Sequence, residues 1–218
     1  MTLLFDGPVG PLEGLYTPAP QPRGWAALVC HPHPVFGGTM HNRIVYRTAK
    51  AFTAAGAHVL RFNFRGVGAS RGSYDGGVGE QEDAAAALDY LHRQHPGDQL
   101  VVAGYSFGSW VGFQAAVRRS HVAGLLGIGV PVTRFDFSFL HTVPLPKRII
   151  QGDADDFGPV TAVEAWLSRC REPKGLTVVA GADHFFDGRQ AELAAALTAA
   201  VAWLQERLTH APEPVRPG

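Results

Sequence analysis

The chain has 218 residues, with 19 basic and 19 acidic side chains, 46% hydrophobic residues and 17% charged ones. That length fits one domain with enough apolar side chains for a core, and zero net charge excludes the basic surplus that draws a chain onto nucleic acid or an anionic membrane. The 26 glycines and 16 prolines follow no period and are broken by apolar runs, so they predict tight turns rather than disorder or a collagen helix.

The N-terminus, Met1-Thr2-Leu3-Leu4-Phe5-Asp6, has no basic region and no long apolar region, so no secretory signal is expected. A Gly7-Pro8 turn predicts an antiparallel edge hairpin in the first 17 residues. The apolar run Ala26 to Cys30 follows, then a helix-like stretch from Arg43 to Ala55 with Asn42 as its N-cap. Ala57 to Phe62 is a second apolar run. Gly79 to Gln94 reads as a helix with Glu80, Glu82 and Asp83 near its positive end. Leu100 to Gly104 precedes a helix from Ser106 to Arg119, and Gly124 to Ile128 precedes Arg148 to Ile150. Pro159 opens a helix to Arg171, Thr177 to Val179 is a last apolar run, and Gln190 to Leu208 a last helix. Short continuous apolar runs suit strands buried on both faces of a parallel sheet. Their alternation with helices predicts an α/β fold with a mostly parallel central sheet and helices on both faces. The longest apolar stretch, Ala123 to Val132, is too short to span a bilayer. Cys30 and Cys170 make no disulfide framework, and a cytoplasmic location is expected. No repeat or interdomain linker is visible. Residues 1–208 are read as one domain and 209–218, with three prolines, as a flexible tail.

The most informative string is Gly104-Tyr105-Ser106-Phe107-Gly108. It fits G-x-S-x-G between an apolar strand and a helix. A serine on so sharp a turn exposes its hydroxyl, and the flanking glycines let strand and helix approach. A serine nucleophile needs a base and an orienting carboxylate, in this fold in the chain order Ser, Asp or Glu, His. Both partners follow in that order. Gln151-Gly152-Asp153-Ala154-Asp155-Asp156 comes after one strand, and Gly181-Ala182-Asp183-His184-Phe185-Phe186 after the last. Asp155 sits far enough round its turn to point back at the site, Asp153 is the alternative, and Asp156 reads as solvated.

With these strings, His31-Pro32-His33-Pro34-Val35-Phe36-Gly37-Gly38-Thr39-Met40 and Arg61-Phe62-Asn63-Phe64-Arg65-Gly66-Val67-Gly68-Ala69-Ser70, nearly the whole chain resembles the α/β-hydrolases. More narrowly it resembles the small, capless bacterial serine esterases related to dienelactone hydrolases, although Ser106 stands where dienelactone hydrolases carry cysteine. The resemblance implies an α/β-hydrolase fold, Ser106 as nucleophile, His184 as general base and Asp155 as its orienting partner. It also implies an oxyanion hole with one N–H from Phe107. The second donor comes from the loop after the Ala26–Cys30 strand. Pro32 and Pro34 have no N–H, which leaves His33, with Val35 as the alternative.

His31-x-His33 is weighed as a metal pair and set aside for want of a further histidine cluster, so no metal and no cofactor are expected. Arg65-Gly66-Val67-Gly68 lacks the Gly-Lys-Ser/Thr of a phosphate loop. Phe36, Met40 and Phe185 are the residues expected to line a substrate pocket. Val130 to Lys147 is too short for a multi-helix lid, so the cap is minimal and the cleft open. The expected reaction is hydrolysis of a small uncharged carboxylic ester through an acyl-enzyme, with the rate falling in acid as His184 takes a proton. Acyl transfer, amide cleavage and a noncatalytic binding role on the same fold are the alternatives. Nothing in the sequence sets an oligomeric state.

Overall fold

The apolar runs become strands of one eight-stranded sheet, and the amphipathic stretches cover it. The computed structural model describes residues 2–208, and the expected tail at 209–218 lies outside the described residues. The strands are β1 (Thr2–Gly7), β2 (Gly10–Thr17), β3 (Trp25–Cys30), β4 (His58–Phe62), β5 (Gln99–Tyr105), β6 (Val122–Ile128), β7 (Lys147–Gly152) and β8 (Lys174–Val179). The helices are α1 (Arg43–Ala54), α2 (Val78–Gln94), α3 (Phe107–Ala116), α4 (Val160–Ser168) and α5 (Gln190–Leu208). The sheet order is β1-β2-β4-β3-β5-β6-β7-β8. β1 and β2 form the expected hairpin, and β2 meets β4 antiparallel; β3 to β8 are parallel.

Period-two alternation divides the core into two layers. Ala26, Leu28 and Cys30 of β3 pack with Leu88 and Leu91 of α2, Val111 and Phe113 of α3, and Val163 of α4. Trp25, Ala27 and Val29 of the same strand face Ile44 and Phe52 of α1 and Leu197 and Leu204 of α5. The parallel strands therefore end on one edge, where loops from several strands meet.

Asn42 caps α1 through Ile44 N–H, 2.9 Å from its Oδ1. Glu80 caps α2 by accepting from the Asp75 and Gly77 N–H groups at 2.9 and 2.7 Å. Three expectations shift. α3 stops at Ala116, past which the Arg119 N–H bonds three residues back to the Ala116 carbonyl and its side chain pairs with Asp89 at 2.7 Å. α4 stops at Ser168, where the N–H groups of Arg169 and Cys170 bond three residues back and tighten the chain out of the helix. β8 is an edge strand, paired only with β7, and Val178 is 43% exposed. Three apolar residues in a row do not reveal whether a neighbour covers both faces.

Candidate active site

β5 delivers Ser106 to the carboxyl edge of the sheet at the turn into α3. Its backbone has φ 54° and ψ −124°, a left-handed conformation that side chains rarely adopt. The flanking glycines explain why the turn closes. A Cβ on Gly104 would lie 2.4 Å from the Gly108 carbonyl oxygen, and one on Gly108 would lie 2.4 Å from that of His31. Ser106 N–H donates to the Ile128 carbonyl at 2.9 Å, and the Ser109 hydroxyl donates to the Ser106 carbonyl at 2.6 Å. The strained residue is thus held from both sides.

The loops after β7 and β8 bring the partners. His184 Nε2 lies 2.9 Å from Ser106 Oγ, and His184 Nδ1 lies 2.8 Å from Asp155 Oδ2. Asp155 and His184 are buried and Ser106 is half-buried. Asp155 Oδ1 accepts from the Phe157 and Gly158 N–H groups at 2.8 and 3.2 Å. Its Oδ2 also accepts from Gln151 Nε2 at 2.8 Å. A carboxylate saturated by donors has fixed lone pairs, so Nδ1 of His184 carries its proton toward Asp155 and Nε2 keeps a lone pair for Ser106. The other two aspartates do not compete. Asp153 is exposed and accepts from Gly181 N–H at 2.6 Å, clamping the two loops together, and Asp156 is exposed.

Sequence reasoning missed the groups that hold this relay. Gln151 is fully buried at the end of β7. Its amide donates to Asp155 and to the Gly158 carbonyl, and its oxygen accepts from Val130 N–H, each at 2.8 Å. An amide side chain directly after the apolar pair Ile149-Ile150, at the carboxyl end of β7, is the available signal. Tyr105 Oη donates to the His184 carbonyl at 3.0 Å, and the Phe157 ring lies 4.5 Å from the imidazole.

The loop after β3 carries the candidate donors. Val35 N–H donates to His33 Nδ1 at 3.3 Å, while the N–H groups of Phe36 and Gly38 both donate to the His33 carbonyl at 3.1 Å. Those groups are committed within the loop. The His33 N–H has no acceptor among the described residues, and Phe107, first in α3, has no intrahelical acceptor for its own. Since His33 Nδ1 accepts, its Nε2–H donates to Tyr74 Oη at 3.1 Å. The ring packs against Phe36, Tyr74 and Phe107, and burial holds its pKa below the usual histidine value.

His31 is spent on structure. It is fully buried, with Nδ1 2.6 Å from the Pro32 carbonyl and Nε2 accepting from Phe64 N–H at 3.1 Å. Burial lowers its pKa from 6.5 to about 4. The unfolded chain therefore takes up a proton between those values that the folded chain refuses. His31 contributes full stability above pH 6.5, and about 3 kcal/mol is lost as pH falls toward 4. Urea unfolding at pH 7 and pH 4.5 is expected to show this loss, reduced in His31→Asn; parallel pH slopes for the two proteins would refute it.

An α/β hydrolase domain model matches residues 28–206. The chain belongs to the α/β hydrolase family. A protein of Rickettsia prowazekii is 39% identical over 217 residues, 95% of this chain and 91% of that one. An α/β serine hydrolase homologue from Coxiella burnetii superposes with a TM-score of 0.87 at 39% identity, covering 91% of this chain and 96% of that one. A lidless α/β serine hydrolase from Xanthomonas campestris superposes at 0.85 with 39% identity, covering 93% and 94%.

In this hydrolase the segment between β6 and β7 holds one 3₁₀ turn, Ser138–Leu140, and no lid helix among the described residues. A cavity of about 380 Å³ opens over Ser106 and His184. Its wall is aromatic: Phe36, Tyr105, Phe157 and Phe185. Phe36 is 84% exposed. Met40, expected beside Phe36, is buried instead and does not line the cavity. Its N–H donates to Asn63 Oδ1 at 2.8 Å and its carbonyl accepts from Arg61 Nη1 at 2.9 Å, so it anchors the loop to the core. Neither Asp, Glu, Lys nor Arg lines the cavity. No helix among the described residues is long and apolar enough to cross a membrane.

Proposed function

We propose that this hydrolase cleaves uncharged carboxylic esters through an acyl-enzyme intermediate. The observation that carries the reading is the continuous relay from Ser106 Oγ through His184 to Asp155, at 2.9 and 2.8 Å. Ser106 Oγ attacks the ester carbonyl as His184 Nε2 takes its proton. The negative oxygen of the tetrahedral intermediate is met by the Phe107 and His33 N–H groups, with the α3 N-terminus adding its positive end. His184 passes the proton to the departing alcohol. It then deprotonates water, which attacks the acyl-serine and releases the acid. Asp155 stays ionised throughout, fixes the tautomer and balances the imidazolium. The aromatic, uncharged wall suits an uncharged ester with apolar groups.

The test is an alkyl fluorophosphonate together with short-chain p-nitrophenyl esters. The expected result is one phosphonyl group per chain on the peptide bearing Ser106, with ester turnover lost in step with labelling. A folded protein that hydrolyses no ester and takes no label on Ser106 would sink the proposal.

A further inference from the structure

A second constellation lies at the other end of the sheet. His58 is the first residue of β4, His95 caps the C-terminus of α2, and Asp98 immediately precedes β5. Ser106 follows the last residue of β5, so this group sits on the edge opposite the relay. The imidazoles stack with centroids 4.0 Å apart and 16° between planes. Tyr16 Oη lies 2.9 Å from His58 Nδ1 and 2.8 Å from His95 Nε2. The phenol thus takes up one nitrogen of each ring, and the other two, His58 Nε2 and His95 Nδ1, make no hydrogen bond to it. His95 Nδ1 is 3.8 Å from Asp98 Oδ2. The three side chains offer ligand atoms that all lie within 4.8 Å of one another.

We propose that His58, His95 and Asp98 bind one divalent transition-metal ion, with Tyr16 orienting both imidazoles. Bonds of about 2.0–2.2 Å at tetrahedral angles place two donors on one zinc about 3.3–3.6 Å apart. The His95–Asp98 pair, at 3.8 Å, stands just outside that distance, and side-chain rotations must draw all three donors in. Two imidazoles and a carboxylate suit zinc rather than calcium or magnesium, which take oxygen. Metal-bound histidines commonly give the remote ring N–H to an oxygen, and Tyr16 Oη stands where both can do so. The Ala19 N–H, 3.2 Å from His58 Nδ1, gives up that long contact when Nδ1 is protonated. The ion would clip β2, the start of β4 and the α2–β5 turn together.

The experiment titrates zinc by calorimetry into the full chain after stripping with a chelator, with cobalt as a spectroscopic probe. We expect one zinc per chain at this site and a zinc-dependent rise in Tm. His95→Ala and Asp98→Asn should each weaken binding at least tenfold, and Tyr16→Phe about tenfold. Circular dichroism in chelator establishes that each variant is folded, and any unfolded variant is replaced by His58→Gln. Cobalt should give ligand-field bands that His95→Ala abolishes. Absence of saturable binding overturns the proposal, as does binding that His95→Ala and Asp98→Asn leave unchanged, which would put the ion on other histidines.

Discussion

Ser106→Ala is expected to lower kcat on an activated ester by about 10⁶-fold, and Asp155→Asn by about 10⁴-fold, with Tm nearly unchanged in the first. On the proposed mechanism, loss of the serine removes the attacking atom. The asparagine acts more subtly. Asp155 Oδ1 receives two backbone N–H groups, and Oδ2 receives both Gln151 Nε2 and His184 Nδ1. An asparagine keeps one oxygen, and the paired backbone donors hold it in the Oδ1 place. Its NH₂ then stands where Oδ2 stood, facing a donating amide and the imidazole. His184 is forced to accept at Nδ1 and carry its proton on Nε2, with no lone pair left for Ser106. The measurement is kcat against pH for wild type and both variants, with thermal unfolding as the control for folding. Asp155→Asn within tenfold of wild type would mean that the carboxylate does not set the tautomer, and Ser106→Ala with unchanged turnover would move the chemistry elsewhere.

The three residues of the relay were legible because each sits where strand periodicity ends in a short loop. A strand end fixes position on the sheet edge, and chain order fixes which partner is which. Position in the turn and the family resemblance favour Asp155 over Asp153 and Asp156, and the backbone supplies the physical reason. The turn aims Asp155 inward, while Asp153 meets Gly181 N–H from the neighbouring loop. The supporting shell was less legible. Ser109 bonds back one helical turn to the Ser106 carbonyl and Gln151 reaches Asp155 four residues on, but the Gln151 bond to Val130 N–H and the Phe157 ring against His184 join separate loops, and hydrophobic periodicity marks neither. Met40 shows the same limit from the other side. Its neighbours in sequence reach the cleft, but Asn63 and Arg61 draw its backbone into the core. The second histidine cluster joins positions 16, 58, 95 and 98, which become neighbours only when the sheet forms.

Asp83→Leu is expected to cost about 3–5 kcal/mol of folding stability, and Arg65→Met a similar amount. Asp83 is fully buried in α2 and accepts from three groups of Arg65: the backbone N–H at 2.9 Å, Nε at 3.0 Å and Nη2 at 2.8 Å. These bonds raise the guanidinium pKa above its ordinary value, so Arg65 stays charged. Glu82 and Asp75 reach the same guanidinium at 3.4 and 3.7 Å, but both are 62% exposed and water screens them. Either single replacement strands a buried charge beside apolar walls. Replacing both removes the charge and its partner together, so Arg65→Met/Asp83→Leu should cost less than the two singles combined, by 2 kcal/mol or so. The strain also has a route to the site. Arg65 starts the loop that leads to Tyr74, and Tyr74 Oη receives the His33 ring N–H in the candidate oxyanion loop. Loosening the anchor should therefore lower kcat in the folded singles as well. Urea unfolding of the four proteins measures the coupling, and strictly additive losses would show that Arg65 and Asp83 hold the loop independently.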